Sequence, residues 1–434
     1  MRRPHMRWVT GFAALVVMAA LAGGTAGAST SREAGGGTVT VHFLGAESPS
    51  TFAPVISAFE KLHSNIKVQY ESVPFGSLTA DIESRVGGHD TSVDIYEADS
   101  PNVPYYAARG LLVNVDSYRT QMNAAISKTS IVPVTYLGSI WAFPLWTSDA
   151  FLYYSKAELT KAGLSFPSSS PTQRLTWEEL ASEAKTVQHT GITWGISIEQ
   201  LTAYYQLEPL PASLGGGTGL TGKDLLTPDI TTTPWLKSMD WYQSLFGQGI
   251  TPKGESFGEA SELFIDNKVP FFIGGPWDIS AFDSQMSKTK YGIAPLPYFA
   301  GGHPYTPTDS ESFGLSPYSP NPKAALDFLS FMTLTNSGAS LASSLSYPVT
   351  PVEDAAFTAQ LKGFDAEGHS AASAILSYDI AHTAIHRPVT VGYVLFESTM
   401  DQAFTNISDG ANVLKTLNAT AAEIRTEFSE LGLG

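Results

Sequence analysis

Residues 38–44, Thr-Val-Thr-Val-His-Phe-Leu, alternate apolar and polar side chains and predict a strand. After a short polar loop, Phe52, Val55, Ile56, Phe59 and Leu62 recur at helical spacing and form one apolar stripe. Residues 66–73 predict a second strand, 78–86 a helix, and 93–99, Val-Asp-Ile-Tyr-Glu-Ala-Asp, a third strand. A β-α-β-α-β order with elements of these lengths predicts a parallel sheet with crossover helices.

The pattern loosens after Arg109 and returns as an aromatic-rich strand at Ala150–Tyr154 that leads into a helix. Thr176, followed three residues later by Glu179, has the spacing of a capping box and starts a helix ending near Val187. Residues 207–234 are rich in Leu, Pro, Gly and Thr without periodicity and predict a mobile loop. Their triple glycine lacks the Lys-Ser/Thr of a phosphate cradle. Helical spacing resumes at 236–249 and 258–268, and an apolar strand follows at 269–274. Gly274, Gly275 and Pro276 then turn the chain sharply ahead of Trp277 and Asp278. Residues 290–299 and 312–317 predict further strands. The helix after Asn321 places Ala324, Leu326, Phe328, Leu329 and Met332 as packing residues, and the chain beyond residue 351 is largely helical except at 384–393.

The first 28 residues change the picture, because a basic start, a run of about fifteen mostly apolar residues from Trp8 to Ala22 and small residues at Ala26 and Ala28 predict a secretory signal peptide. A membrane span needs roughly 20 residues, more than this run offers. Removing it takes Arg2, Arg3 and Arg7 from the 25 basic residues, leaving 22 against 41 acids and a net charge of −19. Such a surface repels nucleic acid and anionic lipid. The absence of cysteine excludes disulfides, thiolate chemistry and a lipidated cysteine. About 400 mature residues predict two domains rather than one core.

Metal chemistry finds little support, since only His382 and His386 are paired at i,i+4 and no His-Glu-x-x-His stretch occurs. No Gly-x-Ser-x-Gly elbow is present. Two carboxylates at glycosidase separation remain possible among so many acids. The more informative feature is aromatic: Trp141, Trp146, Tyr153, Tyr154, Trp277, Tyr347 and Tyr393 lie in or beside Gly/Pro-bearing segments. With the acids Glu47, Asp99, Asp149 and Asp278, such rings suit a neutral polyol or sugar, although each ring also fits ordinary packing.

Taken in order, residues 38–48, 53–70, 92–116, 141–159, 175–185, 263–277, 291–297 and 321–332 resemble the carbohydrate-binding family of extracellular solute-binding proteins of bacterial ABC importers. The resemblance implies an α/β fold of the periplasmic-binding-protein type, two lobes with a ligand cleft and hinge crossings. The first lobe would comprise 29–145 and 290–345, the second 146–289 and 346–434. It implies capture of a neutral di- or oligosaccharide and delivery to permease subunits of an ABC importer, by a monomer without catalysis, cofactor or metal. A glycoside-active enzyme and a receptor for a non-sugar solute are the alternatives. By position, Trp277 corresponds to a stacking platform, Asp99 to a hydroxyl-binding carboxylate, Glu47 to the ligand-facing loop after the first strand, Asp149 to an acidic position before Leu152, and Tyr393 to a late cleft aromatic. Trp146, Asp278 and Tyr347 complete the expected ligand set, with Gly274, Gly275 and Pro276 placing Trp277. Gly24 stands where Gram-positive relatives carry the lipidated cysteine, so the exported protein is expected to be free or held by its permease.

Overall fold

The computed structural model describes residues 37–343 and 355–433. The expected signal peptide, Gly24 and Tyr347 lie outside the described residues.

Two sheets organise the chain. The first has five strands in the order Ile66–Ser72, Val39–Gly45, Ile95–Asp99, Glu311–Leu315 and Phe143–Pro144. Val39–Gly45 is parallel to both neighbours, as the β-α-β pattern requires, whereas Glu311–Leu315 runs antiparallel to Ile95–Asp99 and sets Glu311 opposite Asp99. Helix Pro49–Leu62 buries Phe52, Val55 and Phe59, the interior of the stripe read from the sequence. These rings meet Phe43, Phe313 and Phe328 in the first core.

The second sheet has four strands in the order Tyr291–Pro295, Phe151–Ser155, Phe271–Gly274 and Ile196–Ile198. Tyr291–Pro295, counted above with the first lobe, pairs antiparallel with Phe151–Ser155, so the chain returns to the first sheet only after it. Periodicity cannot assign a strand to a sheet, because its hydrogen-bond partner is remote in sequence. The capping box forms as expected: Thr176 Oγ1 accepts from the Glu179 N–H at 3.1 Å, and the Glu179 carboxylate accepts from the Thr176 N–H at 2.8 Å, starting helix Trp177–Gln188.

The segment expected to be a mobile loop is instead built into the second core. It contains helix Pro209–Ser213 and the paired strands Leu220–Thr221 and Thr227–Pro228. Leu207, Leu210 and Leu220 pack there with Trp235 of helix Thr233–Gly247. A Cβ on Gly219 would meet Trp235 at 2.7 Å and Ile230 at 2.8 Å. Tight irregular packing of this kind uses glycine and proline without leaving a period to read.

Two chain segments cross between the sheets side by side: Thr147 and Thr308 join through their hydroxyls at 3.0 Å, and Ser148 Oγ donates to the Asp309 carbonyl at 2.6 Å. Asp99 ends a parallel strand of the first sheet and Glu47 follows another; Glu199 and Gly275 follow parallel strands of the second. Ligand-binding crevices in α/β sheets lie at these carboxyl ends, where loops rather than ladders present the side chains.

Candidate functional site

Strand Phe271–Gly274 is buried along its length and delivers the chain to the Gly-Pro-Trp turn. A Cβ on Gly275 would lie 2.3–2.4 Å from carbons of the Trp277 ring, and one on Gly274 would lie 2.2 Å from Asp278 Oδ2. Glycine at 275 therefore lets the indole fold back over the turn. Its Nε1–H is shared by Glu199 Oε1 at 2.9 Å and Oε2 at 2.8 Å. Asp278 Oδ2 accepts the Gly275 N–H at 2.9 Å at the start of helix Asp278–Gln285. Burial lifts the Asp278 carboxyl to about 7. Burial, then the Asp278 charge, push Glu199 well above the carboxylate range, and the two acids share a hydrogen bond. The indole is thus clamped at its polar edge.

Tyr205 faces this platform, with ring centroids 6.4 Å apart, and its hydroxyl donates to Ser148 Oγ at 2.8 Å. The Arg387 guanidinium lies 5.1 Å from the Tyr205 ring centroid and 5.8 Å from that of Tyr393. It donates to Asp99 through two bonds of 2.5 and 2.6 Å, a fork that binds the segment around residue 387 to the first sheet. Although burial works against its charge, the carboxylates of Asp99 and Glu397 hold Arg387 protonated. Tyr393 donates its hydroxyl proton to Glu397 at 2.7 Å.

Behind Asp99 lies a group of acids on the first sheet. Glu97 Oε2 accepts the Ala46 N–H at 3.1 Å, and Ser310 Oγ donates to Glu311. Glu47 sits beside them, its carbonyl accepting the Tyr70 hydroxyl at 2.8 Å. Burial, with Asp99 and Glu47 nearby, lifts Glu311 to about 7, while burial with Glu311 and Glu47 pushes Glu97 well above its ordinary range.

Of the residues expected from sequence, Trp277, Asp278, Asp99, Glu47 and Tyr393 lie in or against this constellation. Trp146 is elsewhere: it is 3% exposed, stacks on Phe52 at 5.6 Å and donates Nε1–H to the Ala342 carbonyl at 3.3 Å. Asp149 is also fully buried, which with Asp379 nearby pushes its carboxyl well above the usual range, and Arg174 opposes that shift. Both flank a crossing segment, where an apolar-aromatic pattern reads the same for hinge packing as for a cleft. A cavity of about 250 Å³ beside the crossings is lined by Trp146, Thr147, Thr308, Asp309, His382 and His386, among others, and Trp277, Glu199 and Asp99 take no part in it.

Sequence reasoning missed Arg387, Glu199, Tyr205, Glu97 and Glu311. A usable signal existed for Glu97 and Glu199, since Glu97 sits in the middle of the buried strand Ile95–Asp99 and Glu199 directly follows the buried strand Ile196–Ile198, placements that are costly unless the carboxyl has a task. Arg387 stood out only as the one Arg or Lys within the break 384–393. Among the described residues no group of three or more His, Asp or Glu is arranged to hold a metal ion. No described helix is long and apolar enough to cross a membrane.

The family described as bacterial extracellular solute-binding protein matches residues 45–337. The maltodextrin-binding protein of Bacillus subtilis is 24% identical over 298 residues, covering 65% of this chain and 68% of that protein. A galactooligosaccharide-binding protein of the same organism is 21% identical over 328 residues, 74% of each chain. An ABC substrate-binding protein of Listeria monocytogenes, solved in complex with cycloalternan, superposes with a TM-score of 0.78 at 18% identity over 90% of this chain and 99% of that one. The GacH receptor of Streptomyces glaucescens, solved unliganded and with acarbose, gives 0.74 at 19% identity over 91% and 98%. These structural likenesses bear on the fold.

Proposed function

Because the chain belongs to the bacterial extracellular solute-binding protein family, we propose that it captures an oligosaccharide between its lobes and hands it to the permease of an ABC importer. The observation that carries this reading is the clamped indole: Trp277 is held edge-on by Glu199 and half-exposed opposite Tyr205, beside the Arg387–Asp99 fork. A flat ring held at its polar edge offers its face to a sugar ring, and an ion pair at the margin can exchange hydrogen bonds with hydroxyls. The relatives named for maltodextrin and galactooligosaccharide, and the neighbours solved with cycloalternan and acarbose, support an oligosaccharide as the ligand class.

In this reading Trp277, Tyr205 and Tyr393 shape the apolar part of the site, and Asp99, Glu47 and Arg387 meet the hydroxyls. Glu199, Asp278 and the Gly274–Pro276 turn position Trp277. The protein acts by binding and release, without turnover, as a monomer exported to the outer face of the membrane and retained there through its permease. Calorimetric titration with maltose, maltotriose, a β-galactooligosaccharide and a cyclic glucan, with parallel chromatography for hydrolysis products, tests it. Micromolar binding without products is the expected result; products would move the assignment to a glycosidase, and no binding to any of these sugars would overturn it.

A further inference from the structure

The first-sheet side of the site holds more carboxyl groups than cations. Arg387 is matched by Asp99, with Glu397 at 3.7 Å taking up the rest of its field. Neither Glu97 nor Glu311 makes an ion pair among the described residues; their polar partners are the Ala46 N–H and the Ser310 hydroxyl. Glu97 has no exposed surface, yet its Oε1 has no hydrogen-bond partner. From the second lobe Glu208, also without exposed surface, receives the Tyr204 hydroxyl on Oε1 at 3.2 Å and leaves Oε2 unpartnered, with Arg387 and Asp309 as its nearest influences. Buried oxygens with no partner from the protein are rare in native structures. Protonation does not complete Glu97, because it removes the charge but leaves an O–H with no acceptor. The charged and titratable groups facing Glu97 and Glu311 are Glu47, Asp99, Tyr70 beside Glu97 and Tyr205 beside Glu311. None of these brings a positive charge.

We propose that the physiological ligand is a sugar bearing a basic nitrogen, seated with its ammonium group against Glu97 and Glu311. The inference rests on the receptor reading above and narrows its ligand class. An ammonium supplies several donors and one positive charge, which a sugar hydroxyl cannot. Glu97 Oε1 gains its missing donor, and the ring and remaining hydroxyls keep Trp277 and the Arg387–Asp99 fork. As the ammonium seats, a carboxyl proton leaves Glu97 or Glu311 for solvent, so charge is conserved and one proton is released for each ammonium bound.

The test is calorimetry of the purified protein at about pH 5.5, acidic enough that the amine of a 2-amino sugar, less basic than the lysine amine, is charged, with matched probes: glucose, cellobiose and cellotriose against glucosamine and the fully deacetylated chitobiose and chitotriose, with maltotriose and spermidine alongside. The expected result is at least tenfold tighter binding of an amine form than of its hydroxyl counterpart, with heats that vary with buffer ionisation enthalpy as one proton is released. Equal or tighter binding of the hydroxyl forms, or of maltotriose above every amino sugar, overturns the inference and leaves the receptor reading standing. Spermidine binding without any sugar overturns both, as does no binding at all. Glu97→Gln and Glu311→Gln, each checked for fold by circular dichroism, should bring the amine-to-hydroxyl affinity ratio close to one. An unchanged ratio in both variants also overturns the inference.

Discussion

Trp277 and Gly275 form a two-residue device in which the absence of one side chain fixes the position of another. An alanine at 275 would place its Cβ 2.3–2.4 Å from indole carbons that cannot remain there. Gly275→Ala is therefore expected to tilt the ring from Glu199 and weaken oligosaccharide binding about tenfold, close to 1.4 kcal/mol, while leaving the secondary structure intact; calorimetry together with far-ultraviolet circular dichroism reads both effects. Trp277→Ala removes the platform itself and should cost ten- to a hundredfold in affinity, roughly 1.4–2.8 kcal/mol. Affinity unchanged in Trp277→Ala would remove the indole from the binding site. The Gly-Gly-Pro-Trp turn was legible in the sequence because turn chemistry is local. Glu199, the group that holds the indole, was not, because it lies 78 residues away in the chain.

At the scale of elements, helix Ser370–His382 is tied to the segment ahead of helix Trp177–Gln188 by an ion pair between Arg174 and Asp379, whose side chains are 2% and 1% exposed. Arg174 Nη1 also donates to the Leu296 carbonyl at 3.1 Å, and Asp379 accepts the Thr306 hydroxyl at 3.2 Å. Removing one partner strands a buried charge, so Asp379→Ala should lower unfolding stability by roughly 3–5 kcal/mol. A urea titration measures this, and a loss below about 1 kcal/mol would show that water or a neighbouring group takes over. Elements with strong local signals, such as the stripe of helix Pro49–Leu62 and the Thr176–Glu179 capping box, were read correctly from sequence. Strand Tyr291–Pro295 was recognised as a strand and counted with the first lobe, yet it pairs in the second sheet, since pairing is decided by a partner more than a hundred residues distant.

For the whole molecule, the buried acids make stability pH-dependent in a definite direction. Burial lifts Asp278, Glu311 and Glu397 to about 7, well above their ordinary values. A folded-state value above the unfolded one means that the folded protein holds the proton more tightly. The stabilisation is therefore complete below about pH 4 and is lost as pH rises through about 7. His386, raised by its bond to Asp309, contributes in the same direction, losing its share as pH rises through its raised value. The ligand-free protein should melt at a lower temperature at about pH 8 than at about pH 5.5, and differential scanning fluorimetry across that range should show it. A Tm that rises over the interval would mean that these carboxyls are ionised in the folded state.

By itself the sequence determined the β-α-β start, the helix caps, the apolar faces and the turn that carries Trp277, together with an acidic, cysteine-free composition. All of these follow from neighbours within a few residues, where periodicity and steric limits act. Only the tertiary structure decided which acids share a site, that Arg387 bridges to Asp99 from 288 residues away, that Trp146 and Asp149 are buried beside the crossings, and that residues 207–234 are built into a core. Those outcomes depend on burial and on partners brought together by folding. A carboxylate has the same appearance in sequence whether it is solvated or sealed under a sheet.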